Sequence, residues 1–271
     1  MFLDNDETLG YWIPLIRLYT FIFESKTANI SKEDFPRLKR LLVDRIVQSG
    51  MMDLYARPHL KRFLKFLQRM KQRGDLNEVS MFTAASDDSG WVSFLKRLLE
   101  EYADVPGLYD HVHTIYSVRP HVARRTGQKF IDDVTNTKNR EVVFVDDRVH
   151  EVVHTDQPKS VDMIHVAPYF IQHDEHRDLR MYQKVLENIV PASRVPSYKV
   201  DTRLRNEPLR DQSDTDLDRI IKYLRRKWST RVRGSSPRSS KSSRSPRRKS
   251  PLDVLQSPNR LVDVLYKRQS R

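Results

Sequence analysis

The chain contains no cysteine among its 271 residues. That excludes a disulfide framework and a phosphatase with a thiolate nucleophile, and it fits a reducing compartment. A long apolar run is also missing. The longest, YWIPLIRLYTFIF at 11–23, contains Pro14 and Arg17 and is too short to span a bilayer. No signal peptide is expected, because Asp4 and Asp6 interrupt the place where its apolar segment would lie. The expectation is a soluble intracellular protein, cytoplasmic or nuclear, with no membrane contact.

Acidic residues are scarce in one place only. Residues 229–271 hold 12 Lys/Arg against 2 Asp, a net +10, whereas the preceding 228 residues hold 37 Lys/Arg against 34 Asp/Glu, a net +3. The overall +13 therefore describes a tail, not a globular surface. This tail is rich in Ser, Arg, Lys and Pro and has little to bury, so disorder is expected. Ser-Pro pairs stand at 236–237, 245–246, 250–251 and 257–258, and RLVDVLYKR at 260–268 is a possible short docking helix. A solubilising tail is one reading. Binding to nucleic acid or another polyanion is favoured over it, because Lys/Arg contacts to phosphates release counterions.

The most informative stretch is the first, MFLDNDETLG. Met1 to Leu3 read as a short strand, and Asp4, Asp6 and Thr8 follow in the pattern D-x-D-x-T. Carboxylates two apart at a strand end point to one side, and burying them without partners is costly. On its own the pattern is equally a helix cap ahead of Tyr11. Three later signals favour chemistry. VSMFT at 79–83 is an apolar strand ending in Thr83, and EVVFVDDR at 141–148 is another, ending in Asp146 and Asp147. Lys129 lies between them in TGQKFIDD, with room for a helix and a turn before the acidic strand. Strands ending in polar groups place them on one edge of a parallel sheet, where open α/β sheets bind ligands.

This order of motifs resembles the haloacid dehalogenase superfamily. Within it, YARPHLKRFLKFL at 55–67 and FTAAS at 82–86 are similar to stretches of the branch containing RNA polymerase C-terminal-domain phosphatases and NLI-interacting-factor proteins. The resemblance covers residues 1–170. The compact start and basic Ser-Pro tail are also similar to the short phosphatase-like proteins of large DNA viruses, invertebrate iridescent viruses in particular. It implies a Rossmann-like α/β fold with a central, mostly parallel sheet and a small helical insertion after the first strand. It further implies a Mg²⁺-dependent phosphatase acting on phosphoserine or phosphothreonine of a protein. Asp4 would be the nucleophile, forming an aspartyl-phosphate, and Asp6 the acid/base. Mg²⁺ would be held by Asp4, the backbone carbonyl of Asp6 and Asp146, with Asp147 a ligand or an orienter of metal-bound water. Thr83 and Lys129 would bind the phosphoryl oxygens, while Thr8 shapes the loop. The branch often places its lysine directly before an Asp-Leu pair, a slot nearer Asp132 here. Lys138 is the weaker alternative, only eight residues from Asp146.

Other readings were open from the residues alone. The same chemistry could serve a nucleic-acid 3′-phosphate, or the chain could be a non-catalytic nucleic-acid-binding adaptor. HEVVH at 150–154 matches the H-E-x-x-H zinc-peptidase pattern, with His173 or Glu175 as third ligand. It starts just after a strand end and is cut short by Thr155 to Pro158, so His150 and His154 read as loop residues.

The expected organisation is a phosphatase domain over 1–190, a linker with a basic amphipathic helix over 191–228, and the tail over 229–271. Residues 11–25 and 31–48 have helical spacing and form either a cap or two helices packed on the sheet, all within an insertion at 11–50. Further helices are expected at 58–72, opened by Pro58, from Trp91, at 178–190 and at 215–228. Strands are expected at 78–83, 111–118, 141–145 and 161–167. Asp87, Asp88 and Ser89 should cap the helix at Trp91.

Overall fold

The computed structural model describes residues 1–24, 30–85, 87–118, 141–148, 161–171, 175–187, 189–190 and 214–234. Lys129, Asp132, Lys138, His150, His154, His173 and the Ser-Pro tail lie outside the described residues. The chain divides into two compact units, Met1–Thr230 and Arg231–Arg271.

The first unit is α/β, with a parallel sheet of five strands: β1 (Phe2–Leu3), β2 (Ser80–Thr83), β3 (His111–Thr114), β4 (Val142–Asp146) and β5 (Val161–His165). Their spatial order is β3-β2-β1-β4-β5. The chain builds outward from β1 on one side, then returns to add β4 and β5 on the other. The topological switch point therefore falls between β1 and β4, at the carboxyl end of both.

Side-chain alternation gives the sheet two apolar faces. Leu3, Met81, Val143 and Val145 enter the main core, whereas Phe2, Phe82, Val142 and Phe144 form a separate cluster with Ile115. Helices α1 (Ile13–Phe23), α2 (Phe35–Gln48), α3 (Met51–Tyr55), α4 (Leu60–Gln72) and α5 (Trp91–Ala103) bury their apolar faces in the main core. Pro14 and Pro36 each sit in the first turn of a helix, where the missing N–H costs nothing. The 11–48 helices pack tightly: Tyr19 touches the rings of Trp91 and Phe94 and donates its hydroxyl to the Ser89 carbonyl at 2.8 Å. Phe63, Leu64, Phe66, Leu67 and Met70 form an apolar face of α4 that is buried throughout.

Several boundaries differ from expectation for identifiable reasons. β3 stops at Thr114, opposite the last residue of β2, and Ile115–Val118 turns into a short helix, α6. β5 stops at His165, opposite Asp146 where β4 ends. α4 starts at Leu60 because His59 takes a left-handed conformation, φ 67°. The expected helix at 178–190 runs as α7 (Glu175–Leu186), and α8 (Asp216–Gly234) continues past residue 229. Leu217, Ile220, Ile221 and Leu224 of α8 lie in the main core. Asp87 caps α5, accepting the Val92 and Ser93 N–H groups at 2.9 and 3.1 Å, and Ser89 accepts from Trp91 N–H at 3.3 Å. Among the described residues no helix is long and apolar enough to cross a membrane.

Candidate active site at the switch point

Strand register brings the acidic residues together. Leu3 pairs with Val145, so Asp4 and Asp146 leave adjacent strands at the same level, and Asp4 N–H donates to the Val145 carbonyl at 3.0 Å. Asp147 follows directly. One carboxylate oxygen from each of Asp4, Asp146 and Asp147 lies within 4.8 Å of the others. All three residues are 9 % exposed or less, and Asp146 is fully covered.

Thr8 knits the cluster. Its Oγ1 stands 2.9 Å from Asp4 Oδ2 and 3.0 Å from Asp147 Oδ1, and accepts the Asp147 N–H at 2.9 Å. Asp146 Oδ1 accepts the Arg148 N–H at 2.8 Å, and the Asp147 carbonyl meets His165 Nε2 at 2.7 Å. These bonds fix each carboxylate's direction. At these separations each carboxylate pair repels by about 3 kcal/mol at an effective dielectric near 20. A divalent cation would offset that repulsion. The donors are hard oxygens, the set suited to Mg²⁺, Ca²⁺ or Mn²⁺ and not the nitrogen and sulfur set typical of zinc. The residues present therefore fit a Mg²⁺ ion.

The loop carrying Asp6 is built tightly. Leu9 N–H returns to the Asn5 carbonyl at 3.0 Å, Glu7 N–H donates to the Gly10 carbonyl at 2.8 Å, and Glu7 is left-handed at φ 61°. Beneath it runs a strap of residues 55–57. Tyr11 N–H donates to the Tyr55 carbonyl at 2.8 Å and Arg57 N–H to the Leu9 carbonyl at 2.9 Å, around a Gly10–Ala56 bridge. Gly10 is needed for this approach, since a Cβ there would meet the Trp12 ring at 2.4 Å and the Tyr55 carbonyl at 2.7 Å. Asp6 is half-buried, and its carboxylate is not one of the three clustered ligands. Thr83 ends β2 as expected, is 1 % exposed, and accepts the Ala85 N–H at 3.1 Å.

Five of the residues singled out by sequence, Asp4, Asp6, Thr8, Asp146 and Asp147, thus gather at the β1–β4 switch point, with Thr83 on the neighbouring strand end. The lysine and both histidines of HEVVH lie outside the described residues. Sequence reasoning placed Arg57 in the R-P stretch at 55–67 but gave it no role in the site; it is a buried cation wedged against the D-x-D-x-T loop. The available signal was an arginine directly before Pro58, between apolar runs. Comparison with protein-family models, with curated proteins and with solved structures finds no match for this chain.

Proposed function

We propose that the protein is a Mg²⁺-dependent phosphomonoester phosphatase of the haloacid dehalogenase type, acting on phosphoserine or phosphothreonine of a protein. The observation that carries this reading is the convergence of Asp4, Asp146 and Asp147 within 4.8 Å at the switch point of a parallel sheet. An oxygen-only cation site beside a conformationally fixed Asp is what phosphoryl transfer needs. The protein-phosphate substrate rests on the motif resemblance alone, because fold does not fix substrate.

In this reading a carboxylate oxygen of Asp4 attacks phosphorus in line with the leaving oxygen. Asp6 protonates that oxygen as the P–O bond breaks, then takes the proton of the water that hydrolyses the aspartyl-phosphate. Thr8 keeps Asp4 oriented. Thr83 and Lys129 bind the phosphoryl oxygens, most usefully if their contacts strengthen in the transition state. Asp4, Asp146, Asp147 and the Asp6 carbonyl would hold Mg²⁺, which when bound supplies charge neutralisation for the incoming phosphate.

The test is hydrolysis of an aryl phosphate, phosphopeptides and 3′-phosphorylated oligonucleotides, with Mg²⁺ and with chelator. Phosphopeptide turnover that needs Mg²⁺ and disappears in Asp4→Asn supports the reading. Preference for the oligonucleotide would move the substrate to nucleic acid, and full activity in Asp4→Asn would remove the mechanism. Activity should survive His150→Ala with His154→Ala, since a phosphatase needs no zinc there.

A further inference from the structure

The Arg57 guanidinium is 1 % exposed, although its charge is expensive to desolvate. Its surroundings explain why it is there. Nη2 donates to the Glu7 carbonyl at 3.1 Å and to the Ala167 carbonyl just after β5. Nε faces Asp214 Oδ2 at 3.4 Å and Nη1 faces Asp216 Oδ2 at 3.7 Å, at the start of α8. The plane lies over the Tyr169 ring, 5.4 Å from its centroid, and Tyr169 N–H donates to the same Glu7 carbonyl at 2.7 Å. One side chain therefore ties the loop after β1 to the loop after β5 and to α8.

Glu7 is the residue between Asp6 and Thr8, and its left-handed backbone is one that L-residues adopt only when held. Arg57 and Tyr169 both hold its carbonyl. From this we infer that Arg57 is a positioning residue: through the Glu7 carbonyl it fixes Asp6 and Thr8 relative to Asp4, with the Asp214 and Asp216 carboxylates facing the guanidinium as its counter-charges. The inference rests on the phosphatase reading for its catalytic consequence, though not for the clamp itself. It makes the start of α8 a component of the site. The planar guanidinium is required because a lysine has a single donor centre and cannot reach two carbonyls and two carboxylates at once.

The experiment compares the full-length parent with Arg57→Lys and Asp214→Asn, the second keeping the test informative if the first folds poorly. Amide hydrogen exchange is followed at Tyr169 and Leu9, and aryl phosphate hydrolysis is measured with several leaving groups. In Arg57→Lys, protection of the Tyr169 amide should fall about tenfold or more while α4 and α5 amides keep theirs. kcat should fall about 100-fold with KM within about twofold, because a displacement near 1 Å is enough for such a loss. The loss should be greatest for poor leaving groups, which depend most on Asp6. Asp214→Asn should show the same pattern more weakly. Unchanged exchange and kcat in both variants would overturn the clamp. Lost protection in a protein whose parent has no phosphatase activity would leave the clamp standing and overturn the catalytic reading instead.

Discussion

Thr8 and Asp147, 139 residues apart, are joined by hydrogen bonds in both directions: the Asp147 N–H donates to Thr8 Oγ1 at 2.9 Å, and the hydroxyl faces Asp147 Oδ1 at 3.0 Å. Asp4 Oδ2 competes for the same hydroxyl proton from 2.9 Å. A hydroxyl has one proton, so it serves one carboxylate at a time. A cation bound there would take over part of the negative charge and relieve the competition. Thr8 is therefore a joint between the first and fourth strands and not merely a loop-former.

Replacing Thr8 by Val keeps the shape and removes the joint. Stability in metal-free buffer should fall by about 1–3 kcal/mol, the cost of leaving buried polar groups unsatisfied. Mg²⁺ affinity should weaken about 10–100-fold, as is usual when a group orienting a ligand is lost. Denaturant titration and calorimetry measure the two effects, and Thr8→Ser should restore most of both. A Val variant as stable and as tight for Mg²⁺ as the parent would show that Thr8 orients nothing.

The cluster was legible in the sequence because its members stand at strand ends, where apolar runs stop at a charged or hydroxyl residue. Register then follows from the sheet, and Asp4 falls beside Asp146 with no further information. Arg57 was not legible in that way. Its role depends on Glu7, Ala167 and Asp214, which no periodicity connects. The short helix α3 was missed because five residues carry too little pattern to stand out from a turn. Strand ends at Thr114 and His165 were overrun because apolar side chains continue beyond the point where a pairing partner exists.

Metal binding should be visible in stability. A ligand that binds only the native state adds about 2.7 kcal/mol at 100 times its dissociation constant. Mg²⁺ should therefore raise the parent's melting temperature, while Asp146→Asn should gain less from it. The smaller gain comes from removing a ligand. Equal melting temperatures with and without Mg²⁺ in the parent would argue against a cation site.

His113 provides a pH test independent of the site. It packs against the Phe2 and Phe82 rings, at 5.9 and 6.1 Å, and burial, with His111 beside it, pushes it below its ordinary 6.5, against an opposing pull from Glu78. The folded state then binds a proton less readily than the unfolded chain. Stability is complete above pH 6.5 and declines as the pH falls through that value. Unfolding free energies from pH 7.5 down to 5 should decline less steeply in His113→Phe; identical slopes would assign the decline to other groups.

Gly10→Ala should be among the most damaging small substitutions. The added methyl meets the Trp12 ring at 2.4 Å and the Tyr55 carbonyl at 2.7 Å, and a backbone carbonyl cannot rotate aside as a side-chain end could. The strap must separate from the loop, costing about 1–3 kcal/mol as overpacking does. Activity should fall with stability, since the same strap supports Asp6. A stable Ala variant with parental kcat would mean the strap tolerates displacement.

The last expectation concerns residues 235–271, which carry most of the +10 counted over 229–271. Their arginines and lysines are interleaved with four Ser-Pro pairs, so each phosphate added there would cancel about 1.5 to 2 positive charges. If this segment holds a polyanion, its contacts release counterions, and affinity must drop steeply with salt. Deleting 235–271 leaves α8 and the Arg57 clamp in place, so aryl phosphate hydrolysis should be unchanged. Binding to a DNA or RNA duplex should weaken at low salt and lose most of its salt dependence. Phosphorylation of the Ser-Pro serines should reproduce the deletion in part, and treatment with active enzyme, but not Asp4→Asn, should reverse it if the tail is a substrate of its own domain. Binding that is equally tight and equally salt-sensitive with and without the tail would locate the polyanion contacts elsewhere, and the tail would then be a solubilising segment.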